Sequence, residues 1–224
     1  MLRLEKISKS YPRRGVVLER LDFNAGRGDS IALTGPSGCG KTTLLNIIGG
    51  LDKPDEGAVV FNGALITNYN PDELCDYRNK NIGFVFQDNL LLNHLTVKEN
   101  IMLPLFAGNI SESEYLEAER HCNSLMLRIG IKDLSEKYPS QISGGEAQRA
   151  TLVRALIRQP TLLLADEPTG SLDSKNAETL SELLIELNKE FGVTLILVTH
   201  SETLASKMGK IYRIEDGRLN VSDE

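Results

Sequence analysis

Apolar and polar positions alternate at the start of the chain, in Leu2-Arg3-Leu4-Glu5-Lys6-Ile7 and again in Val16-Val17-Leu18 and Leu21-Asp22-Phe23. A period of two marks half-buried strands, so an antiparallel strand group is expected to open the fold. Tyr11 falls in the expected turn before Pro12, where its ring either packs a hairpin edge or stacks on a base. Past the Gly26-Arg27-Gly28-Asp29 turn the alternation gives way to unbroken apolar runs: Ser30-Ile31-Ala32-Leu33, Thr161-Leu162-Leu163-Leu164-Ala165 and Val193-Thr194-Leu195-Ile196-Leu197-Val198. Runs of this kind belong to parallel strands covered on both faces. Gly57-Ala58-Val59-Val60-Phe61 before Asn62-Gly63, and Asn81-Ile82-Gly83-Phe84-Val85-Phe86, add two more strands. A hairpin around Asp216-Gly217 closes the pattern.

From 88 to 158 the periodicity turns helical. Expected segments are 97–106, a longer helix capped by Ser111-Glu112-Ser113-Glu114 and ending at Gly130, a third at 134–138, and a helix opened by Ser143. No strand pattern interrupts this block. It reads as a helical subdomain, 88–158, inserted into a core built from 1–87 and 159–224. Outside it, helices are expected at 44–48, at 71–78 and at 174–191, the last capped by Asp173 or Ser174.

Chemistry concentrates where these strands end. Gly35-Pro36-Ser37-Gly38-Cys39-Gly40-Lys41-Thr42-Thr43 lies between a strand and an apolar helix, the context a P-loop requires. Its backbone N–H groups are suited to wrap a β-phosphate, Lys41 to reach the β and γ oxygens, and the Thr42 hydroxyl to complete a Mg²⁺ shell. Asp166 ends a buried strand, where such a site holds Mg²⁺, and Glu167 follows it, placed to orient or deprotonate a water. Gln87 and His200 end two other strands on the same expected sheet edge. Taken alone, Gln87 is a loop residue and His200 a structural histidine; the constellation favours a role at a γ-phosphate.

Ser143-Gly144-Gly145-Glu146 combines a capping box with two glycines in the first helical turn. That arrangement leaves N–H groups at a positive helix end, an anion site for a phosphate that the rest of the chain does not hold. An ordinary surface helix start is the competing reading.

The totals narrow the classes. With 31 acidic against 25 basic residues the net charge is −6, without the basic balance of a nucleic-acid binder. Cys39, Cys75 and Cys122 are odd in number and lack metal-ligand spacing, as expected of reduced cytosolic thiols. No apolar run approaches about 18 residues and the first residues carry no signal core. The chain is therefore expected neither to be secreted nor to span a membrane, while free to dock on a membrane protein. Little sequence follows Asp216-Gly217-Arg218, so no appended regulatory domain is expected. Asn188-Lys189-Glu190-Phe191 is not a guanine-binding Asn-Lys-x-Asp motif.

Taken in order, the P-loop, Gln87, Ser143-Gly144-Gly145-Glu146-Ala147-Gln148, Asp166-Glu167 and His200 resemble the ATP-binding subunit of ABC transporters across essentially the whole chain. Two stretches, Leu44 to Pro54 and Tyr77 to Gln87, are similar to the branch serving lipoprotein release, macrolide export and cell division. The resemblance implies an α/β P-loop NTPase (RecA-like) fold: a parallel sheet core, an N-terminal antiparallel β subdomain and an inserted helical subdomain.

It further implies ATP and Mg²⁺ as ligands and a head-to-tail, ATP-dependent dimer of two copies. Each ATP would lie between one P-loop and the other copy's Ser143 helix. Tyr11 would stack on adenine, Thr43 contact the α-phosphate, Gln87 sense metal and γ-phosphate, and Asp173 touch the other subunit. The partner implied is an integral membrane permease subunit, reached from the cytoplasmic face of the inner membrane, with no nucleic acid. Three positions depart from the common pattern: Ile142 with Glu146, Cys39 and Ser171. A soluble ABC ATPase working on ribosomes or nucleic acid is the competing class; it typically has two cassettes or a long coiled coil, and neither is present.

Overall fold

The computed structural model describes residues 1–107 and 110–221; the last three residues of the 159–224 segment lie outside the described residues. Two sheets organise the chain. The first is antiparallel, in the order β2-β1-β4-β5, from β1 (Leu2–Tyr11), β2 (Gly15–Ala25), β4 (Glu56–Phe61) and β5 (Ala64–Leu65). The second has the order β10-β9-β3-β8-β7-β6. It comprises β3 (Ser30–Thr34), β6 (Ile82–Val85), β7 (Leu162–Asp166), β8 (Thr194–Val198), β9 (Lys210–Glu215) and β10 (Arg218–Val221). Every pairing in it is parallel except the terminal β9–β10 hairpin.

The apolar runs divide their side chains between two cores, as a period of two requires. In β7, Leu162 and Leu164 join the core between the sheets, while Leu163 and Ala165 join the one beneath the helices. In β8, Ile196 and Val198 take the first side, Leu195 and Leu197 the second. Full burial on both faces explains why these strands lack alternation. The core between the sheets also holds Leu44, Leu45, Ile47 and Ile48 of α1 (Lys41–Ile48), which fixes the helix that follows β3.

Between β6 and β7 the chain forms α3 (Val97–Met102), α4 (Glu112–Arg128) and α5 (Gly144–Leu156). The expected segment 97–106 is helical only to Met102 and then tightens into a 3₁₀ turn, Leu103–Ala107, where Pro104 has no N–H to continue an α-helix. The expected helix at 134–138 is absent. Its carbonyls are committed elsewhere: Val97 N–H donates to Lys137 O at 2.8 Å and Lys98 N–H to Ser135 O at 3.1 Å, satisfying the start of α3. Tyr138, which precedes Pro139, is extended at φ −90°, ψ 157°.

Ser111 caps α4 in a complete capping box, and Gly130 follows it at φ +72°. Also present are α2 (Pro71–Asn81), three residues longer than expected, α6 (Ser174–Phe191), capped by Asp173, and the short α7 (Glu202–Ala205). No helix among the described residues is long and apolar enough to cross a membrane.

Candidate active site

The P-loop folds as the turn from β3 into α1. Gly35 stands at φ +138°, and a Cβ there would lie 2.3 Å from Ile214 O, so only glycine fits. Gly40, at φ +108°, is the N-cap of α1, with no side-chain cap and no acidic residue in the first turn. The helix thus offers bare N–H groups at its positive end. Lys41 is 6% exposed, and its Nζ donates to Gly35 O at 2.9 Å and Pro36 O at 3.0 Å. Held by carbonyls and a thiol of its own loop, with no carboxylate in ion-pair distance among the described residues, the ammonium is open to an anion. Cys39 is half-buried, its Sγ 4.0 Å from Lys41 Nζ.

Because β3, β8, β7 and β6 are neighbours, their carboxyl ends share one edge. A cleft of ≈ 500 Å³ along it is lined by Ser37, Gly38, Gly40, Lys41, Thr42 and Thr43, by Asp166, Glu167 and Gly170, and by Gln87, Val198, His200 and Arg14. Burial holds the Asp166 carboxyl above the usual carboxylate range, against the Thr42 hydroxyl and the Lys41 charge, which pull it down.

Glu167 adopts φ +47°, a strained conformation for a non-glycine residue. Its N–H donates to Val198 O at 3.0 Å, and its carbonyl accepts from Gly170 N–H at 3.0 Å. Oε2 accepts the His200 backbone N–H at 3.2 Å; Oε1 is buried without a hydrogen-bond partner. Gln87 lies two residues beyond β6 rather than at its last position, and its Nε2 is 3.4 Å from where a Gly170 Cβ would sit.

Thr42, Asp166 and Gln87 give this cleft an oxygen donor set. Among the described residues no three His, Cys, Asp or Glu side chains gather into a metal cage. A small oxygen set beside a phosphate loop fits Mg²⁺, which retains waters and takes phosphate oxygens as further ligands.

Tyr11, Asp173 and the Ser143 motif do not line the cleft. Ser143, Gly144, Gly145 and Glu146 form the first turn of α5, where Ser143 Oγ accepts Glu146 N–H at 3.3 Å and Glu146 Oε2 accepts Ser143 N–H at 2.7 Å. The hydrogen bonds from Ser143 hold Glu146 below the usual carboxylate range. Asp173 is likewise at an exposed helix start, its Oδ1 accepting Asn176 N–H at 3.0 Å. The two starts are adjacent: a Cβ on Gly145 would meet Asn176 Oδ1 at 3.0 Å.

Tyr11 is not in the turn. It ends β1 opposite Gly15, because Arg14 N–H donates to Tyr11 O at 3.0 Å and confines the turn to 12–14. The ring is half-buried, and the hydroxyl donates to Asp52 Oδ2 at 2.7 Å. Burial, then Asp52, push that hydroxyl's pKa up. Lys9 Nζ anchors the same carboxylate at 2.8 Å through Oδ1.

The parts played by four residues escaped sequence reading: Arg14 in the cleft wall, Asp52 under Tyr11, and Gln148 and Arg154 on α5, of which only Gln148 was named, as the end of the Ser143 motif. Gln148, 1% exposed, donates from Nε2 to Phe86 O at 2.9 Å. Arg154 donates to Leu90 O and Asn89 O, each at 2.9 Å, gripping the loop after Gln87. The available signals were a paired-arginine turn and polar residues within an otherwise apolar helix.

A sequence family described as ABC transporter matches residues 18–170. The chain is 41% identical over 219 residues to the lipoprotein-releasing system ATP-binding protein LolD of Bacteroides thetaiotaomicron, covering 98% of this chain and 99% of that one. It is 39% identical over 222 residues to the bacitracin export ATP-binding protein BceA of Halalkalibacterium halodurans, covering 98% and 87%. Among solved structures it is similar to a dimeric post-hydrolysis state of the ATP-binding cassette MJ0796 bound to ADP and Pi, with TM-score 0.86 and 36% identity, covering 100% of both chains.

Proposed function

This chain belongs to the ABC transporter family as an ATP-binding cassette with ATPase activity, and from that footing we propose a working cycle. Its fold is the α/β P-loop NTPase core that the sequence led us to expect. Two copies close head to tail around two Mg-ATP, hydrolysis reopens them, and the cycle drives a separate integral membrane permease subunit from the cytoplasmic face of the membrane. Lipoprotein release is the substrate reading favoured by the similarity to LolD proteins; macrolide or peptide export, or a cell-division role, are the other outcomes.

The observation that carries this reading is a division of labour. One cleft gathers the P-loop, Asp166, Glu167, Gln87 and His200, while Ser143, Gly144 and Asp173 are exposed outside it. A second copy would complete each cleft with those helix starts, so closure is favoured only when the γ-phosphate is held from both sides.

Within the cleft, the P-loop N–H groups and Lys41 would bind the β and γ phosphates, and Thr43 the α-phosphate. Thr42, Asp166 and Gln87 would hold Mg²⁺, which supplies charge neutralisation at the β and γ oxygens. Glu167, whose Oε1 makes no hydrogen bond, would orient and take a proton from the attacking water. His200 would hold Glu167 and contact the γ-phosphate, while Tyr11 would stack on adenine. Residues 88–158 act on this reading as a helical subdomain, passing motion from the membrane partner to the core formed by 1–87 and 159–224.

The test is purification of a tagged Glu167→Gln chain from its own cells in ATP and mild detergent. Co-purification of an integral membrane protein in near-equal amount is expected, and its extracytoplasmic part would identify the cargo. Ribosomes or nucleic acid in its place would overturn the transporter reading.

A further inference from the structure

Arg14 is a cation in the cleft that no part of the P-loop accounts for. The three-residue turn 12–14 starts at Pro12 and ends before Gly15 at φ +71°, a tight hairpin with little freedom of direction. Its stem is pressed onto the P-loop: a Cβ on Gly40 would meet Leu18 Cδ2 at 2.8 Å and Val17 O at 3.0 Å. From that platform the Arg14 guanidinium reaches over the loop, its Nη2 2.9 Å from where a Gly38 Cβ would stand. Gly38, at φ +82°, leaves the space that the guanidinium enters.

Four surface arginines have carboxylate partners, such as Arg218 with Glu19 at 3.1 Å and Arg3 with Glu5 at 2.8 Å, while Arg13, Arg20, Arg27 and Arg120 have none among the described residues and lie away from the cleft lining. Arg14 has no ion pair or side-chain hydrogen bond among the described residues, and it faces the cleft together with Lys41. Both cations line the cleft with Ser37 and Gly38.

We propose that Arg14 is a nucleotide-binding residue that closes on the polyphosphate chain from the outer side of the P-loop, opposite Lys41. A planar guanidinium with several donors matches phosphate oxygens, and its reach from a rigid turn limits the entropy lost on contact. The contact would be made in the single chain, before a second copy arrives. It rests on the reading of this cleft as the nucleotide site.

The experiment compares the wild-type chain with Arg14→Ala, Arg14→Lys, Arg13→Ala and Lys41→Ala by calorimetry, using Mg-ADP and, separately, inorganic pyrophosphate as probes. Expected is a loss of roughly tenfold in affinity for both probes in Arg14→Ala, with most of it restored by Arg14→Lys. Arg13→Ala, which removes the same charge from the same turn, should bind as the wild type does. In steady state the Arg14→Ala KM for ATP rises while kcat is kept within about twofold. Equal binding by Arg14→Ala and wild type, or equal losses in Arg13→Ala and Arg14→Ala, would overturn the contact while leaving the cleft assignment intact. Wild-type binding that survives Lys41→Ala unchanged would overturn the cleft assignment itself, and the contact with it.

Discussion

Glu167 and His200 meet across the ends of two adjacent parallel strands: the His200 backbone N–H donates to Glu167 Oε2 at 3.2 Å, while His200 Nε2 stands 3.3 Å from Oε1. One carboxylate oxygen is thereby held by backbone, while the other is buried beside the His200 ring without a hydrogen bond. An unsatisfied buried acceptor is costly unless a ligand or water completes it.

Replacing Glu167 with Gln keeps the shape and the His200 contact while removing the base. ATP turnover is expected to fall by roughly 10²–10⁴-fold, the range of general-base contributions, with ATP binding retained. Light scattering after gel filtration should then show a dimer that persists in Mg-ATP. Unchanged turnover would remove Glu167 from the chemistry.

Asp166 presents the opposite trade. Its charge is held against burial, with a pKa above the ordinary carboxylate value. Asp166→Asn should slightly raise the melting temperature of the metal-free chain near neutral pH, while weakening Mg²⁺ dependence of nucleotide binding. A melting temperature that drops would show that the charge is well compensated by Thr42 and Lys41.

Gln148 and Arg154 tie α5 to the segment around Gln87. Arg154→Ala leaves Asn89 O and Leu90 O without that donor and should destabilise by about 1–3 kcal/mol. If the tie also aligns Gln87, ATP turnover should fall more than ATP affinity, and Arg154→Lys should restore part of it. Parallel loss of both quantities would reduce the pair to a structural role.

Tyr11 separates into a ring and a hydroxyl. Tyr11→Ala should raise the KM for ATP by roughly tenfold, as expected for loss of stacking worth about 1–3 kcal/mol. Tyr11→Phe keeps the ring but releases Asp52, and should change KM by less than about threefold. A larger effect in Tyr11→Phe would mean that the Asp52 hydrogen bond sets the ring's position. The hydrogen bonds from Lys9 and Tyr11 already outweigh burial in holding Asp52 below its usual range.

The boundary between what local sequence could and could not decide follows the range of the forces involved. A P-loop, a capping box at Ser143 and an Asn62-Gly63 turn are each written in a few consecutive residues. Their conformations depend on left-handed glycines and side-chain caps within that span. The apolar runs of β3, β7 and β8 foretold two-sided burial because no alternative hides such segments from water. Order along the chain, with a strand before each chemical group, was enough to place Asp166, Glu167 and His200 on one edge.

Tertiary structure decided whatever depends on a partner far along the chain. The 134–138 segment is not a helix because its carbonyls bond the start of α3, some forty residues earlier, and no local propensity reports that competition. Tyr11 acquires its orientation from Asp52, and the loop after Gln87 its hold from Gln148 and Arg154, each across an interval the sequence leaves open. Arg14 is one of two adjacent arginines with nothing local to distinguish them. Only the packing of Val17 and Leu18 against Gly40 turns one of the two over the phosphate loop.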